Sequence, residues 1–304
     1  MGGGWLGSVL AIAGLGVGAA LCGCGGDAFT SAGPDSGLDT ASIGADARAP
    51  DGAPGDAAVD APMVPAPDAG AGWCATQSAA HTFCEDFLHG VPDKLVGITA
   101  NAMLVPDTTD TVSAPQSMAA ITPKLPAKGD SATALATRDF SGATGTQFTL
   151  SSYFKIASSC FPSSGQVDPV SIALLDFPDA SYGLALEIAP NAVALVELET
   201  GADGGITGSP EITTLDTPDL FDNWQLWTLT IDGGLTKSVT LSVGGTTVTP
   251  ARTMLKKPQT TLLLQHPTLF LGAAVKNDQG LSPGCKVNVD DILFDVKAVA
   301  TPAN

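Results

Sequence analysis

From Trp73 onwards the chain is a succession of short apolar runs separated by turn signals, and no long stretch holds a helical period of 3.6 residues. That property points away from helical and α/β architectures, towards a β-sandwich or barrel built from many short strands. In "TQFTLSSYFKIAS" (146–158) strict alternation puts Phe148, Leu150, Ser152, Phe154 and Ile156 on one face. In "SYGLALEIAP" Leu184, Leu186 and Ile188 share a face. "KSVTLSVGGTTV" sends Val239, Leu241 and Val243 inward and then turns at Gly244-Gly245, a two-residue hairpin signal. "CKVNVDDILFDVK" closes the domain, with Val287 and Val289 on one face before a pair of aspartates.

Upstream of Trp73 the composition is different. "WLGSVLAIAGLGVGAALC" (5–22) is apolar, uncharged and shorter than the roughly 20 residues of a membrane-spanning helix, which fits the core of a secretory signal. Leu21-Cys22-Gly23-Cys24 resembles a bacterial lipobox. The resemblance implies cleavage after residue 23 and acylation of Cys24, whose chains would add about 0.8 kcal/mol of membrane affinity per buried methylene. Residues 24–72 are rich in Ala, Gly, Pro and Asp, and Phe29 is the only aromatic among them. Such a segment has too little large apolar surface to offset chain entropy, so it reads as a disordered tether. The whole chain carries 31 acidic against 13 basic residues, a net charge of −18, which excludes nucleic acid as a partner and leaves a lipid anchor as the only hold on a membrane. The organisation is thus a signal peptide (1–23), a tether (24–72) and one all-β domain (73–304).

Four segments of that domain resemble the concanavalin A-like lectin/glucanase jelly roll, the group that includes laminin G-like domains. They are "FCEDF" (83–87), "SAPQSMAAITP" (113–123), "NWQLWTLTID" (223–232) with the hairpin after it, and "VNVDDILFDV" (287–296). Lipobox, tether and domain in this order resemble surface lipoproteins of myxobacteria. The resemblance implies a jelly-roll β-sandwich whose first and last strands are neighbours. It would bring Glu85 or Asp86 towards Asp290 or Asp291. Several hard oxygens in one place suit a structural Ca²⁺; the other reading has these acids capping strand ends or pairing with Lys286 or Lys297.

Four cysteines lie in the domain, and an even number in an exported chain favours disulfides. Of the three possible pairings, a local Cys74–Cys84 loop that pins the incoming chain is favoured, which leaves Cys160–Cys285. Glu197 and Glu199 in "VELET" are the nearest approach to the paired carboxyls of a retaining glycosidase, but the rest of that pattern is missing. They read as solvent-facing residues on an edge. Gly129-Asp130-Ser131 reads as a turn, because none of His81, His89 and His266 stands in the setting of a catalytic base. The expectation is therefore of no enzyme activity. For binding, Tyr182 with Asp176 and Asp179 in "DFPDASYG" is the best loop candidate, while Trp227 shares a face with Leu229 and Ile231 and belongs in the core. The reading is an exported, lipid-anchored protein at the outer membrane or cell surface that carries a lectin-like module for carbohydrate. The alternatives are a structural or adhesive envelope protein that binds another protein, and a degenerate glycoside hydrolase.

Overall fold

The computed structural model describes residues 72–161, 168–190, 192–199, 210–216, 220–234, 236–256, 264–278 and 282–297. The signal peptide, Cys24 and the tether up to residue 71 lie outside them. Among the described residues fifteen strands form two antiparallel sheets. Strands of the first sheet run in the order β13 (Thr246–Val248), β12 (Ser238–Val243), β11 (Gln225–Asp232), β6 (Gln147–Ile156), β15 (Cys285–Lys297), β4 (Ser117–Thr122) and β3 (Met103–Asp107). The second sheet has the order β10 (Glu211–Asp216), β9 (Ala192–Glu199), β8 (Tyr182–Ala189), β7 (Val170–Phe177), β14 (Thr268–Lys276), β5 (Ser131–Asp139) and β2 (Val96–Ala100). The two pack face to face as a jelly-roll β-sandwich: the sandwich is the class expected from the alternation, and the jelly roll is the one that the resemblance implied. No helix among the described residues is long and apolar enough to cross a membrane.

Strand β6 shows how the sequence builds the core. Its alternation buries Phe148, Leu150, Ser152, Phe154 and Ile156 and leaves the intervening residues on the outer face. Beside it β11 buries Trp227, Leu229 and Ile231, in register with Ser152, Leu150 and Phe148. The Phe154 and Trp227 rings meet at 5.3 Å. Each such side chain contributes about 1.5–3 kcal/mol through burial. The β12–β13 hairpin turns at Gly244 and Gly245, both with positive φ (55° and 88°), the conformation that a tight primed turn requires.

The closing strand β15 sits inside the first sheet. It pairs with β4 over Cys285–Val289, then with β1 (Phe83–Glu85) over Ile292–Phe294, and with β6 along both halves. The change of partner falls at a register shift where Asp291 adopts φ 50°. Two disulfides close the frame. Cys160, in the turn after β6, is bonded to Cys285 at the start of β15. Cys74, in the short helix α1 (Trp73–Thr76), is bonded to Cys84 of β1. Bonds of this kind persist in oxidising compartments, so the domain belongs outside the cytoplasm, in the periplasm or beyond.

Candidate functional site

The acids at the β1–β15 junction do come together, as the resemblance implied, but each is engaged by the chain itself. Asp290 accepts the amides of Val112 (2.8 Å) and Ser113 (3.1 Å) through Oδ2, and that of Asp291 through Oδ1. Asp291 Oδ1 accepts the Ser113 hydroxyl at 2.5 Å. Glu85 accepts the amides of Phe87 and Lys94 with one oxygen each, and Asp86 accepts those of Cys74 and Leu88. Burial pushes Asp290 up to about 7, helped by the negative charge of Asp291; burial likewise raises Asp291 to about 6, with Asp86 adding to it. Of these acids only Asp291 leaves a buried oxygen, Oδ2, without a partner. Among the described residues no group of three or more His, Cys, Asp or Glu side chains converges as a metal site. The donor set does not fit Ca²⁺. These carboxyls instead pin the 108–116 loop and the incoming chain to the sandwich.

The same loop is held from a second side. Asp110 accepts the Lys155 ammonium at 2.9 Å and the Trp224 indole N–H at 3.1 Å. Trp224 is therefore a packed, structural tryptophan. Asp107 forms a neighbouring network with Lys286 (2.6 Å) and Asn288 (2.9 Å). Burial alone would raise Asp107, but the hydrogen bonds from Lys286, Asn288 and Thr109 outweigh it and hold the carboxyl well below the usual range.

Three sequence expectations are corrected by the geometry. Tyr182 is not a loop residue: it opens β8 on the inward face, is 1% exposed, and donates its hydroxyl to Glu197 at 2.9 Å. Burial and the Glu197 carboxylate drive the phenol well above its ordinary range. Glu197 is not a solvent-facing edge carboxylate either. It is 2% exposed, β10 covers the edge of its strand, and it also accepts Thr253 Oγ1 (2.5 Å) and the Met254 amide (2.6 Å). Its role is to tie the 253–256 turn across the end of the sandwich. Asp179 faces solvent and contacts His266 Nδ1 at 2.7 Å, so Tyr182, Asp176 and Asp179 do not converge on one ligand.

Asp176 belongs to a different constellation. Registers across the second sheet place Ala194, Glu187, Ser171, Ala274 and Thr133 in one row on its outer face. A neighbouring row carries Val196, Ala185, Leu174, Phe270 and Thr137. Asp176 follows, opposite Thr268 and Gly183. Leu135, Leu174, Ala185, Ala194, Val196, Leu198, Phe270 and Ala274 form a second apolar cluster, distinct from the core. They are shielded from solvent. Set into this face are three buried polar atoms without a hydrogen-bond partner: Thr137 Oγ1, Asp176 Oδ1 and Glu187 Oε2. Only the other Glu187 oxygen is engaged, by the Ser171 hydroxyl at 3.1 Å. Burial lifts Glu187 to about 8 and Asp176 to about 6, so Glu187 is mostly a neutral acid near pH 7, able to donate as well as accept. The sequence analysis passed over Glu187, Thr137 and Phe270. The available signal was a lone acid in "LALEIA", in a strand whose two faces are otherwise apolar.

No family model matches the chain, and no curated protein does. Solved structures do. An alginate lyase is similar at 10% identity over 66% of this chain and 85% of its own, with a TM-score of 0.45. An endo-β-1,4-glucuronan lyase from the fungus Trichoderma reesei is similar at 10% identity over 72% and 96%, TM-score 0.49. The cellulose-induced protein Cip1 is similar at 15% identity over 72% and 99%, TM-score 0.46. At such values the likeness transfers neither residue roles nor substrates. It does correct one expectation. The missing catalytic pair suggested a chain without enzyme activity, whereas two of these three structures are polysaccharide lyases, which are enzymes, and that expectation is withdrawn.

Proposed function

We propose that the protein is an exported, lipid-anchored recognition module for neutral carbohydrate, and that the outer face of the second sheet is its binding face. The observation that carries this reading is the set of partnerless oxygens on Thr137, Asp176 and Glu187 around the apolar surface of Leu174 and Phe270. A buried polar group without a partner costs about 1–3 kcal/mol, and a ligand that supplies hydroxyls would remove that cost. A sugar supplies hydroxyls that match the oxygens of Thr137 and Asp176, the half-buried members of the set. The net charge of −18 favours neutral chains over anionic ones. Export is supported by the two disulfides, and the anchor by the lipobox at Cys24 and the tether behind it. The test is an array of soluble oligosaccharides probed with the full-length protein and with Phe270→Ala and Glu187→Gln. Binding of neutral glycans, weakened about tenfold or more by either change, is expected. Binding of none, or binding that both variants retain in full, would sink the proposal.

A further inference from the structure

The apolar cluster on the outer face of the second sheet is closed to solvent, and its own sheet does not close it. Its eight side chains are at most 7% exposed. They come from β9, β8, β7, β14 and β5, and Ile98, the partly buried residue packed against them, comes from β2. Every apolar member of the cluster among the described residues thus belongs to one sheet. Side chains on one sheet face stand side by side and cannot roof one another. The shielding also stops at two borders. Ile212 of β10, opposite Val196, is 40% exposed, and Val96 of β2, opposite Thr137, is 67% exposed.

These borders give the cover a size. Strands lie about 4.8 Å apart, so the shielded zone is about 19 Å across from β9 to β5 and is bounded at about 29 Å, the distance from β10 to β2. Its two rows of outward side chains lie about 6.8 Å apart, a width that one helix of about 10–12 Å diameter spans. The cover is apolar as well. Burial lifts Glu187, which stands in one of these rows, to about 8, whereas water over the carboxyl would leave it near its ordinary value.

Of the sequence outside the described residues, 5–22 has this size and chemistry. "WLGSVLAIAGLGVGAALC" is uncharged, and as a helix it would be about 27 Å long, between the two limits. Its many glycines allow the backbone a close approach to a surface that already carries Leu174 and Phe270. Residues 24–71 are instead rich in Asp and Pro, and the longest stretch outside the described residues within the domain, "TGADGGITGS" (200–209), has a single large apolar side chain. The tether also reaches. As a flexible chain, residues 24–72 span about 35–40 Å root-mean-square, well beyond the roughly 10 Å between packed sheets. Attachment through it holds the segment near the face at a high effective concentration.

We infer that residues 5–22 dock across the outer face of the second sheet and keep it closed while they remain attached, so that removal of residues 1–23 opens the face to its ligand. The second half of this inference rests on the carbohydrate reading above. The segment is short for a membrane-spanning helix, so the face competes with the bilayer for it. Glu187 and Ser171, paired across β8 and β7, lie beneath it and meet sugar hydroxyls once it leaves.

The experiment uses the full chain with Cys22→Ser and Cys24→Ser, which removes the lipidation site and the stray thiols, in buffer without detergent. A benzophenone-bearing photoreactive residue replaces Val96 or Ile212 at the borders of the shielded zone, or Thr230 on the first sheet as a control. Isotope-labelled and unlabelled chains are mixed in equal amounts before irradiation, and the linked peptides are mapped by mass spectrometry. Links from positions 96 and 212 to residues 1–22 of the same chain are expected, with none from position 230. Ile12→Asp with Leu15→Asp should abolish them, and circular dichroism and Tm establish that this variant is folded. The form cleaved after residue 23 should bind neutral oligosaccharides about tenfold or more tighter than the uncut chain. Absence of links to residues 1–22, links only between different chains, or links that survive the aspartate pair would each overturn the inference. So would measurable glycan binding of equal affinity in the two forms. The expected links with no glycan binding by either form would sink the carbohydrate reading and leave the cover in place.

Discussion

The outer faces of the two sheets solve the same problem in opposite ways. A strand exposes every second residue, and those residues must be satisfied by water, by each other or by a partner. On the first sheet they are serines and threonines that bond to one another across strands. On the second the outward positions are Ala, Val, Leu and Phe, buried in spite of their place on the outer face, and interrupted by a few polar groups whose oxygens have no partner. The first face is complete without a ligand and the second is not. Self-sufficiency suits a face that meets water, whereas unmet hydrogen-bonding capacity suits selection of a particular small ligand.

The comparison can be broken most severely at the frame beneath the first sheet. Replacing Cys160 and Cys285 by serine opens a loop with a sequence separation of 125 and should cost about 2–5 kcal/mol. Thermal unfolding under oxidising conditions would show it. A smaller change sharpens the second face. Glu187→Leu with Ser171→Ala removes the buried oxygen without a partner together with the hydroxyl that would otherwise be stranded, and should raise stability by about 1–3 kcal/mol while weakening glycan binding; a lowered Tm would contradict the cost assigned to the orphaned oxygen.

The pH dependence follows from the raised acids. Glu187, Asp290, Asp176 and Asp291 titrate at about 8, 7, 6 and 6 in the folded protein, above the ordinary carboxylate range. Between their unfolded and folded values the native state holds more protons, so their contribution is fully present below about pH 4 and is lost as pH rises through 6 to 8. Asp107 acts in the opposite sense: its stabilisation is present above about pH 4 and is lost in acid. Tm should therefore be higher at pH 5 than at pH 9, and Glu187→Leu should flatten the upper part of that fall. A rising profile from pH 5 to 9 would contradict the burial of these acids. The smallest effect belongs to the outer face of the first sheet. Thr230→Val should change stability by no more than about 0.5 kcal/mol, since the residue lies outside the core. A larger loss would mean that the hydroxyls of this face are structural.

Much of this architecture was legible in the residues. Alternation in 146–158 and 238–243 named the buried face of β6 and β12, and Trp227 followed from its phase with Leu229 and Ile231. The same alternation already put Tyr182 on the face of Leu184 and Leu186, and reading it as a loop residue ignored its phase. Glu197 was harder. Its neighbours alternate as an edge strand would, and the next strand, β10, whose "EITTLD" carries little apolar signal, covers that edge. The acids at the β1–β15 junction looked like metal ligands because the sequence lists carboxyls and is silent about the amides that reach them. The hydroxyl pairs of the first sheet needed the registers of four strands at once, and no single strand shows more than a common Ser/Thr alternation.

The position of β15 has a consequence for how this chain is made. It follows every other described strand in the chain, yet it lies between β6 and β4 and also holds β1. A nascent chain in which residues 285–297 are not yet free lacks the middle of its first sheet. Contacts this remote in sequence also form slowly. The first sheet therefore closes only once residues 285–297 are free to enter it, and the Cys160–Cys285 bond forms no earlier than that step.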